Sequence, residues 1–512
     1  METKVIMAFL IGFLFVLTIQ SLVLAEEAPD ATGLLILDMA HQNVGGELYR
    51  SAYEDADIKI KIQEQIINDA AIQACIEDLS TVLPSKPQTV PSGQPGKYNF
   101  VLRLDSESKL PMEAYTIENR DGAITVTGGS VRGLCYGVYF LREQLLLGKE
   151  ITSVRRKPDF TFRMITQPFE VAGYPDVATL TKPIVRQQQF GPMRPFDGAG
   201  YNAEDEARNI LRSGLNTIYL GSYSFASTYD KLDQGKSDKV FPKGSKGRKW
   251  VEVRRNNFRK LIAAAEKYHL DVAVNSDIFA YPHAVNAKDK WKAMETSLTG
   301  ILTDFPEIDY VLARFGENYT YWNPFFTGEG PENDDEMAKA IDKIHSIVVT
   351  KFGKKFMPRT WSMGNDCWHA KPSRYLNVIK NIKAKKDIYF SIKNTQTDFW
   401  RYNRFNPCIG IGDKLQAVEY LCQDGYNFKN AVPYYDVTRM ARGGLEIDKS
   451  ETGMKKAKEL GVKHTWGWLT ADGWCGPKLT REEWLKANLF GYTHLMWDVN
   501  EDPAELAQRW AA

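Results

Sequence analysis

Hydrophobic and polar positions along the chain fall into two regimes. Between about Gly33 and Gly148, short apolar runs mix with single helical stretches. Leu34 to Leu37 and Tyr98 to Leu104 read as strands, because Leu, aromatic and β-branched residues cluster there between polar breaks. Between them, Asp57 to Leu79 spaces Ile, Ala and Leu at helical intervals. Tyr115 to Ile117 and Ala123 to Thr127 flank a turn at Asn119–Gly122, the pattern of a hairpin. Ser130 to Leu147 follows as a helix with Leu134, Val138 and Leu141 on one face. The expectation is a small α+β domain over residues 30–150.

Past Arg155-Arg-Lys-Pro158, which reads as a linker, strands and helices alternate. Strands are predicted at Thr217–Leu220, Asp271–Asn275, Tyr310–Phe315, Lys355–Trp361, Ile388–Ile392 and His464–Trp468, with another in the apolar stretch from Gln416. Helices are predicted at Glu204–Ser213, Asn257–Tyr268, Lys288–Thr303, Asp335–Lys351 and Ser373–Ile382. This alternation implies a parallel sheet, and no Gly-rich phosphate loop favours a doubly wound one. A (β/α)8 TIM barrel over 158–480 is therefore expected, with reacting groups just past the C-terminal ends of its strands. A capping box at Thr480 and Glu483, and Pro503 opening a second helix, predict a helical segment over 481–512 that reads as cut short.

Composition narrows the class. Lys plus Arg (65) balances Asp plus Glu (64), which removes the electrostatic case for a nucleic-acid partner. The 12 Trp, 24 Tyr and 25 Phe suit both a large core and a sugar-binding cleft. Residues 1–25 join a Lys-bearing start, an apolar run from Val5 and a small-residue end at Ala25, the pattern of a cleaved secretory signal peptide. A secreted or periplasmic protein is expected, with no membrane segment after cleavage. Six scattered Cys form no CxxC and no metal spacing, which leaves buried thiols and one or two disulfides as equal readings.

Candidate chemistry sits at the predicted strand ends. Glu317 lies one residue past Gly316, with Tyr319, Tyr321 and Trp322 behind it. Lys393, Asn394 and Asp398 follow the strand ending at Ile392; Arg359 and Trp361 end another; Glu419 and Asp424 lie in and after the next. Strand alternation allows only one of Glu419 and Asp424 to face the barrel axis. An acid and an opposed carboxylate can cleave a glycosidic bond through an activated water. Arg314, Arg359 and Lys393 suit a clamp on an anionic substituent, Arg above all because its fork matches a carboxylate. Each of these loops also reads as an ordinary solvated one.

These residues resemble those of the family 67 α-glucuronidases. Phe305-Pro-Glu-Ile-Asp-Tyr-Val-Leu-Ala-Arg-Phe-Gly-Glu317 is similar to the strand ending in that family's general acid. Pro358-Arg-Thr-Trp361 and Ile392-Lys-Asn-Thr-Gln-Thr-Asp-Phe399 resemble its next two functional segments. Trp474-Cys-Gly476 and Leu495-Met-Trp-Asp498 resemble the entry to its helical C-terminal domain. The N-terminal stretch from Glu113 to Leu141 resembles a domain shared with β-hexosaminidases. The resemblance implies an inverting hydrolase that releases glucuronic or 4-O-methylglucuronic acid from xylan-type polysaccharides. Glu317 would be the acid and Asp398 the base, assisted by Asp424. Arg359, Lys393 and Arg314 would hold the sugar carboxylate, with Trp361 and Asn394 lining the site. It implies no metal or organic cofactor, and a polysaccharide or acidic oligosaccharide as the partner.

Two positions depart from the family pattern. Gly425 stands where a second catalytic Glu is placed, and Ala313 where a Lys precedes the acid. The first motivates a non-catalytic polysaccharide-binding protein as an alternative. A hexosaminidase-type hydrolase is another, with Asp334-Asp-Glu336 as its candidate acidic pair.

Overall fold

The computed structural model describes residues 58–93, 99–107, 109–120, 122–166, 203–232, 240–285, 289–316, 326–328, 331, 333–362, 368–400, 402–421, 435–444, 447–448, 450–468 and 483–511. The predicted strand at Leu34–Leu37 and the signal sequence lie outside them.

A six-stranded mixed sheet comes first. Its strands are β1 (Lys59–Ile62), β2 (Gln88–Pro91), β3 (Phe100–Leu104), β4 (Tyr115–Arg120), β5 (Ala123–Gly128) and β6 (Val154–Arg156), in the order β2-β1-β3-β5-β4-β6. The hairpin of β4 and β5 is as predicted, with Ile117 opposite Val126. The stretch from Asp57 is not one helix. Ile58, Ile60 and Ile62 alternate with Lys, which is the period of a strand, and the helix starts only at Ala70, where the Asp69 carboxylate caps Ala71 and Ile72 N–H. The Arg155–Pro158 stretch is likewise not a free linker, because Val154–Arg156 pairs antiparallel with β4.

Eight parallel strands then close into a barrel: β7 (Phe162–Thr166), β8 (Thr217–Ser222), β9 (Asp271–Asp277), β11 (Tyr310–Gly316), β13 (Lys355–Ser362), β14 (Tyr389–Lys393), β15 (Leu415–Leu421) and β16 (His464–Trp468). Short strands β10 (Ala280–Pro282) and β12 (Phe326–Gly328) form a separate antiparallel pair. The fold is a TIM barrel preceded by an α+β domain. Phe162–Thr166 was not among the predicted strands; wholly buried, it lacks the polar alternation that marks a half-exposed strand. The helix predicted from Asn257 starts earlier, at Lys246, capped by the Ser245 hydroxyl.

Inside the barrel, Phe162, Met164, Tyr219, Ala273, Tyr310, Leu312, Met357, Ala417 and Trp466 form a closed apolar filling. Helices pack outside it, and helix Glu483–Trp497 reaches back to the N-terminal domain, where Trp497 meets Tyr115 at a tilt and Tyr136 edge-on. No helix among the described residues is long and apolar enough to cross a membrane. Cys75 and Cys135 are buried free thiols and Cys408 is buried, while Cys367, Cys422 and Cys475 lie outside the described residues.

Candidate active site

Alternation along the barrel strands decides which side chains reach the axis. Leu312 and Met357 belong to the inner filling, so Arg314 and Arg359, two residues further on, share that face. The same step takes Ala273 to Asn275 and Asp277, Ala417 to Glu419, and Trp466 to Trp468. Six polar or amphipathic side chains thereby gather towards the C-terminal end of the barrel, joined by Lys393, the register partner of Glu419. Glu419, in the strand from Leu415, is turned inward, while Asp424 lies outside the described residues.

The cations predicted from sequence are all there, and each has a carboxylate. Arg314 Nε donates to Asp277 across β9 and β11. Arg359 grips Glu419 with two nitrogens, Nε at 2.9 Å and Nη2 at 3.3 Å, and the two side chains are 1% and 0% exposed. Lys393 Nζ donates to Asp398 Oδ1 at 2.5 Å and lies 3.3 Å from the Trp361 ring centroid. Burial pushes the Lys393 ammonium below its ordinary pKa, and the nearby Asp398 and Glu419 only partly offset this. Asp398 sits on a hairpin loop held by the Thr395–Phe405 bridge and by the Gln396 N–H donating to Arg404 O. Its carboxylate also accepts the Phe399 N–H at 3.0 Å.

Behind Trp361 stands His369, fully buried and edge-on to the indole at 5.2 Å. Its Nδ1 is 3.1 Å from Thr360 Oγ1 and its Nε2 3.1 Å from Thr395 O. Burial, with the Lys393 charge beside it, pushes the imidazole down to about 3. His369 is therefore neutral at physiological pH and acts as a spacer that fixes Trp361.

Buried polar atoms are almost always hydrogen-bonded, so the exceptions are informative. At this end of the barrel Arg359 Nη1, Trp468 Nε1 and Asn275 Oδ1 are buried with no partner among the described residues. The Arg359 guanidinium carbon lies 4.8 Å from the Trp468 ring. By contrast Trp466, one layer deeper, has its N–H bound to Ser391 Oγ at 2.8 Å. Two donors and, counting Asn394 Oδ1, two amide oxygens are thus left unsatisfied at this end among the described residues, the complement of a group rich in acceptors and hydroxyls.

Among the other sequence candidates, Asn394 is buried, its N–H on Glu419 O at 3.0 Å and its Oδ1 without a partner. Glu317 and Asp424 lie outside the described residues, and β11 carries the chain as far as Gly316, beside Glu317. Ala313 is fully buried beside the inward-facing Arg314. The acidic run at Asp334 begins a helix capped by Asn333, and Asp334 is held there by Arg374. The sequence reading missed Asn275, Asp277 and Trp468 as site residues; their signal is the period-two step from a filled barrel layer. Among the described residues no cluster of His, Cys, Asp and Glu could hold a metal.

No protein-family model matches the chain, and no curated protein does. Solved structures are similar in fold. A family GH138 enzyme targeting pectin rhamnogalacturonan II is 13% identical with a TM-score of 0.55, over 88% of this chain and 52% of that one. A family GH115 4-O-methyl-α-glucuronidase with specificity for decorated arabinogalactans is 13% identical with a TM-score of 0.48, over 86% and 56%. A β-N-acetylhexosaminidase from Bacteroides fragilis NCTC 9343 is 12% identical with a TM-score of 0.47, over 86% of each chain. The chain spans about half the length of the first two.

Proposed function

We propose that this protein is an exported glycoside hydrolase of the α-glucuronidase type, releasing glucuronic or 4-O-methylglucuronic acid from xylan-type polysaccharides with inversion. The observation that carries the reading is the pair of unpartnered donors, Arg359 Nη1 and Trp468 Nε1, beside Lys393 at the barrel mouth. Two buried N–H groups on side chains in contact, with the Arg359 guanidinium carbon 4.8 Å from the Trp468 ring, suit one acceptor group with several lone pairs, and a sugar carboxylate is such a group. The fold shared with the GH138 enzyme supports a hydrolase of glycosidic bonds.

In this reading Glu317 protonates the leaving oxygen, and Asp398, with Asp424 assisting, draws a proton from the attacking water. Asp398 accepts from Lys393, and a sugar carboxylate would draw that ammonium towards itself. Asp398 would then be released to the water. Trp361 and Asn394 line the same mouth.

One observation favours a second reading, a glycosidase for neutral sugars. Arg314, Arg359 and Lys393 are each already neutralised by Asp277, Glu419 and Asp398. Hydrolysis of glucuronoxylo-oligosaccharides beside matched neutral oligosaccharides separates the two. Release of glucuronate with inverted anomeric configuration, cut about 10²–10⁴-fold in Glu317→Gln, is the expected result. Cleavage of the neutral set alone selects the second reading. Binding of either set without turnover leaves a polysaccharide-binding protein.

A further inference from the structure

Glu419 has no role in the acid–base pair, yet among the described residues it is the most deeply buried carboxylate of the mouth, at 0% exposure. A guanidinium has five N–H donors in a rigid plane. Glu419 takes the edge formed by Nε and Nη2, at 2.9 and 3.3 Å. Trp466 and Trp468 lie 5.1 and 4.8 Å from the guanidinium carbon. The plane is thus fixed by a carboxylate at one edge and by indoles around it, and Nη1 is left over without a partner among the described residues. Glu419 is itself tied to the strand end, since its backbone oxygen accepts the Asn394 N–H and its register partner is Lys393.

We infer that Glu419 is a positioning residue that sets uronate recognition: by occupying one edge of Arg359 it directs Nη1 to the ligand beside Trp468 Nε1. The inference rests on the acidic-sugar reading above. It also explains how a charge-balanced pair can select an anion. The neutral Arg359–Glu419 pair offers little net attraction, so discrimination comes from two aimed hydrogen bonds instead. Gln at 419 would keep one acceptor and turn an NH2 against the guanidinium donors, which breaks the two-point grip.

The test titrates glucuronate and glucose into the wild-type full chain, Glu419→Gln and Glu419→Asp by calorimetry, with crystal structures of the wild type and Glu419→Gln. The expected result is a loss of about tenfold or more in glucuronate affinity for Glu419→Gln, with glucose binding little changed and part of the loss recovered in Glu419→Asp. An equal loss for both sugars marks a merely structural role and overturns the inference, as does wild-type affinity in Glu419→Gln. If Glu419→Gln does not fold, the sugar preference of Glu419→Asp decides: a preference narrowed towards glucose supports the inference, and an unchanged one overturns it. If the wild type binds neither sugar, the acidic-sugar reading fails by itself. The Arg359 plane in the two crystal structures then decides the role of Glu419, displaced in Glu419→Gln if it positions and unmoved if it does not.

Discussion

Both ends of the barrel carry buried arginine–carboxylate pairs, and the two ends use them differently. At the N-terminal end, fully buried Arg163 donates to Glu113 at 2.8 Å, to Phe160 O at 2.7 Å and to Gly214 O at 2.8 Å. Glu113 also receives Arg132 and the Asn216 amide, and Arg132 reaches on to Asp271. Burial alone would raise the Glu113 pKa, but Arg163 and Arg132 outweigh it and hold the carboxyl below its ordinary range. The bonds of Glu113 to Arg163 and Asn216, and of Arg132 to Asp271, cross from the N-terminal domain to the barrel, so their energy goes into docking. At the C-terminal end the pairs lie within the barrel, between strands or between a strand and its own loop. Arg163 too has an unpartnered nitrogen, Nη2, but its guanidinium lies over Trp497 and Tyr136, at 5.2 and 5.5 Å. One leftover donor against aromatic rings is therefore not a site. What distinguishes the mouth is convergence: two leftover donors and two amide oxygens at strand ends, among the described residues.

The largest expected effect tests that division. Arg163→Met removes the centre of the docking network and leaves the buried Glu113 with Arg132 and the Asn216 amide. Breaking a buried pair in this way costs about 3–5 kcal/mol of stability, which urea unfolding measures. Sugar affinity of the folded fraction should stay at the wild-type level. A parallel loss of affinity would show that the two ends are coupled and break the comparison.

A second effect comes from one histidine at each end. His464 begins β16 and stacks on Tyr389 at 4.1 Å, while His369 backs Trp361. Burial pushes both down to about 3. Each stays neutral in the folded protein while the unfolded chain takes up a proton below about pH 6.5, so stability falls as pH drops from there towards 3. The slope is about 1.4 kcal/mol per pH unit for each histidine, or roughly 2 kcal/mol each by pH 5. Unfolding titrations of His464→Gln and His369→Asn at pH 7 and pH 5 should each show that dependence reduced by one proton. Only the His369 variant should also alter sugar affinity, because only His369 supports Trp361. An equal effect of both on binding would count against the division.

The same contrast explains how much was legible in the sequence. The barrel was, because strands such as Tyr310–Gly316 and His464–Trp468 are apolar runs between helices with clear polar faces. Strand β7 was not, since it follows a short edge strand and is buried on every side chain. The cations of the mouth were visible as charges at strand ends. Their partners were not: Asp277 pairs with Arg314, 37 positions on, and Glu419 with Arg359, 60 positions back, through a register that only the closed sheet supplies. The docking network hides for the same reason, as Glu113 meets Arg163 across two domains.

The smallest effect is the sharpest test of the mouth. Trp468→Phe keeps an aromatic ring near Arg359 and removes only the indole N–H that has no partner among the described residues. Removing an unpartnered buried donor leaves no broken bond behind, so stability should be unchanged or slightly higher. If that N–H receives a sugar oxygen, affinity falls by about 1 kcal/mol, roughly fivefold. Trp466→Phe is the control one layer down. There the N–H is already bound to Ser391, so the change costs stability and spares affinity. Calorimetry and thermal melting on both variants give four numbers whose signs are fixed in advance. Opposite patterns for two tryptophans two residues apart would separate a donor held for ligand from a donor held for the fold; matching patterns would show Trp468 to be core like Trp466.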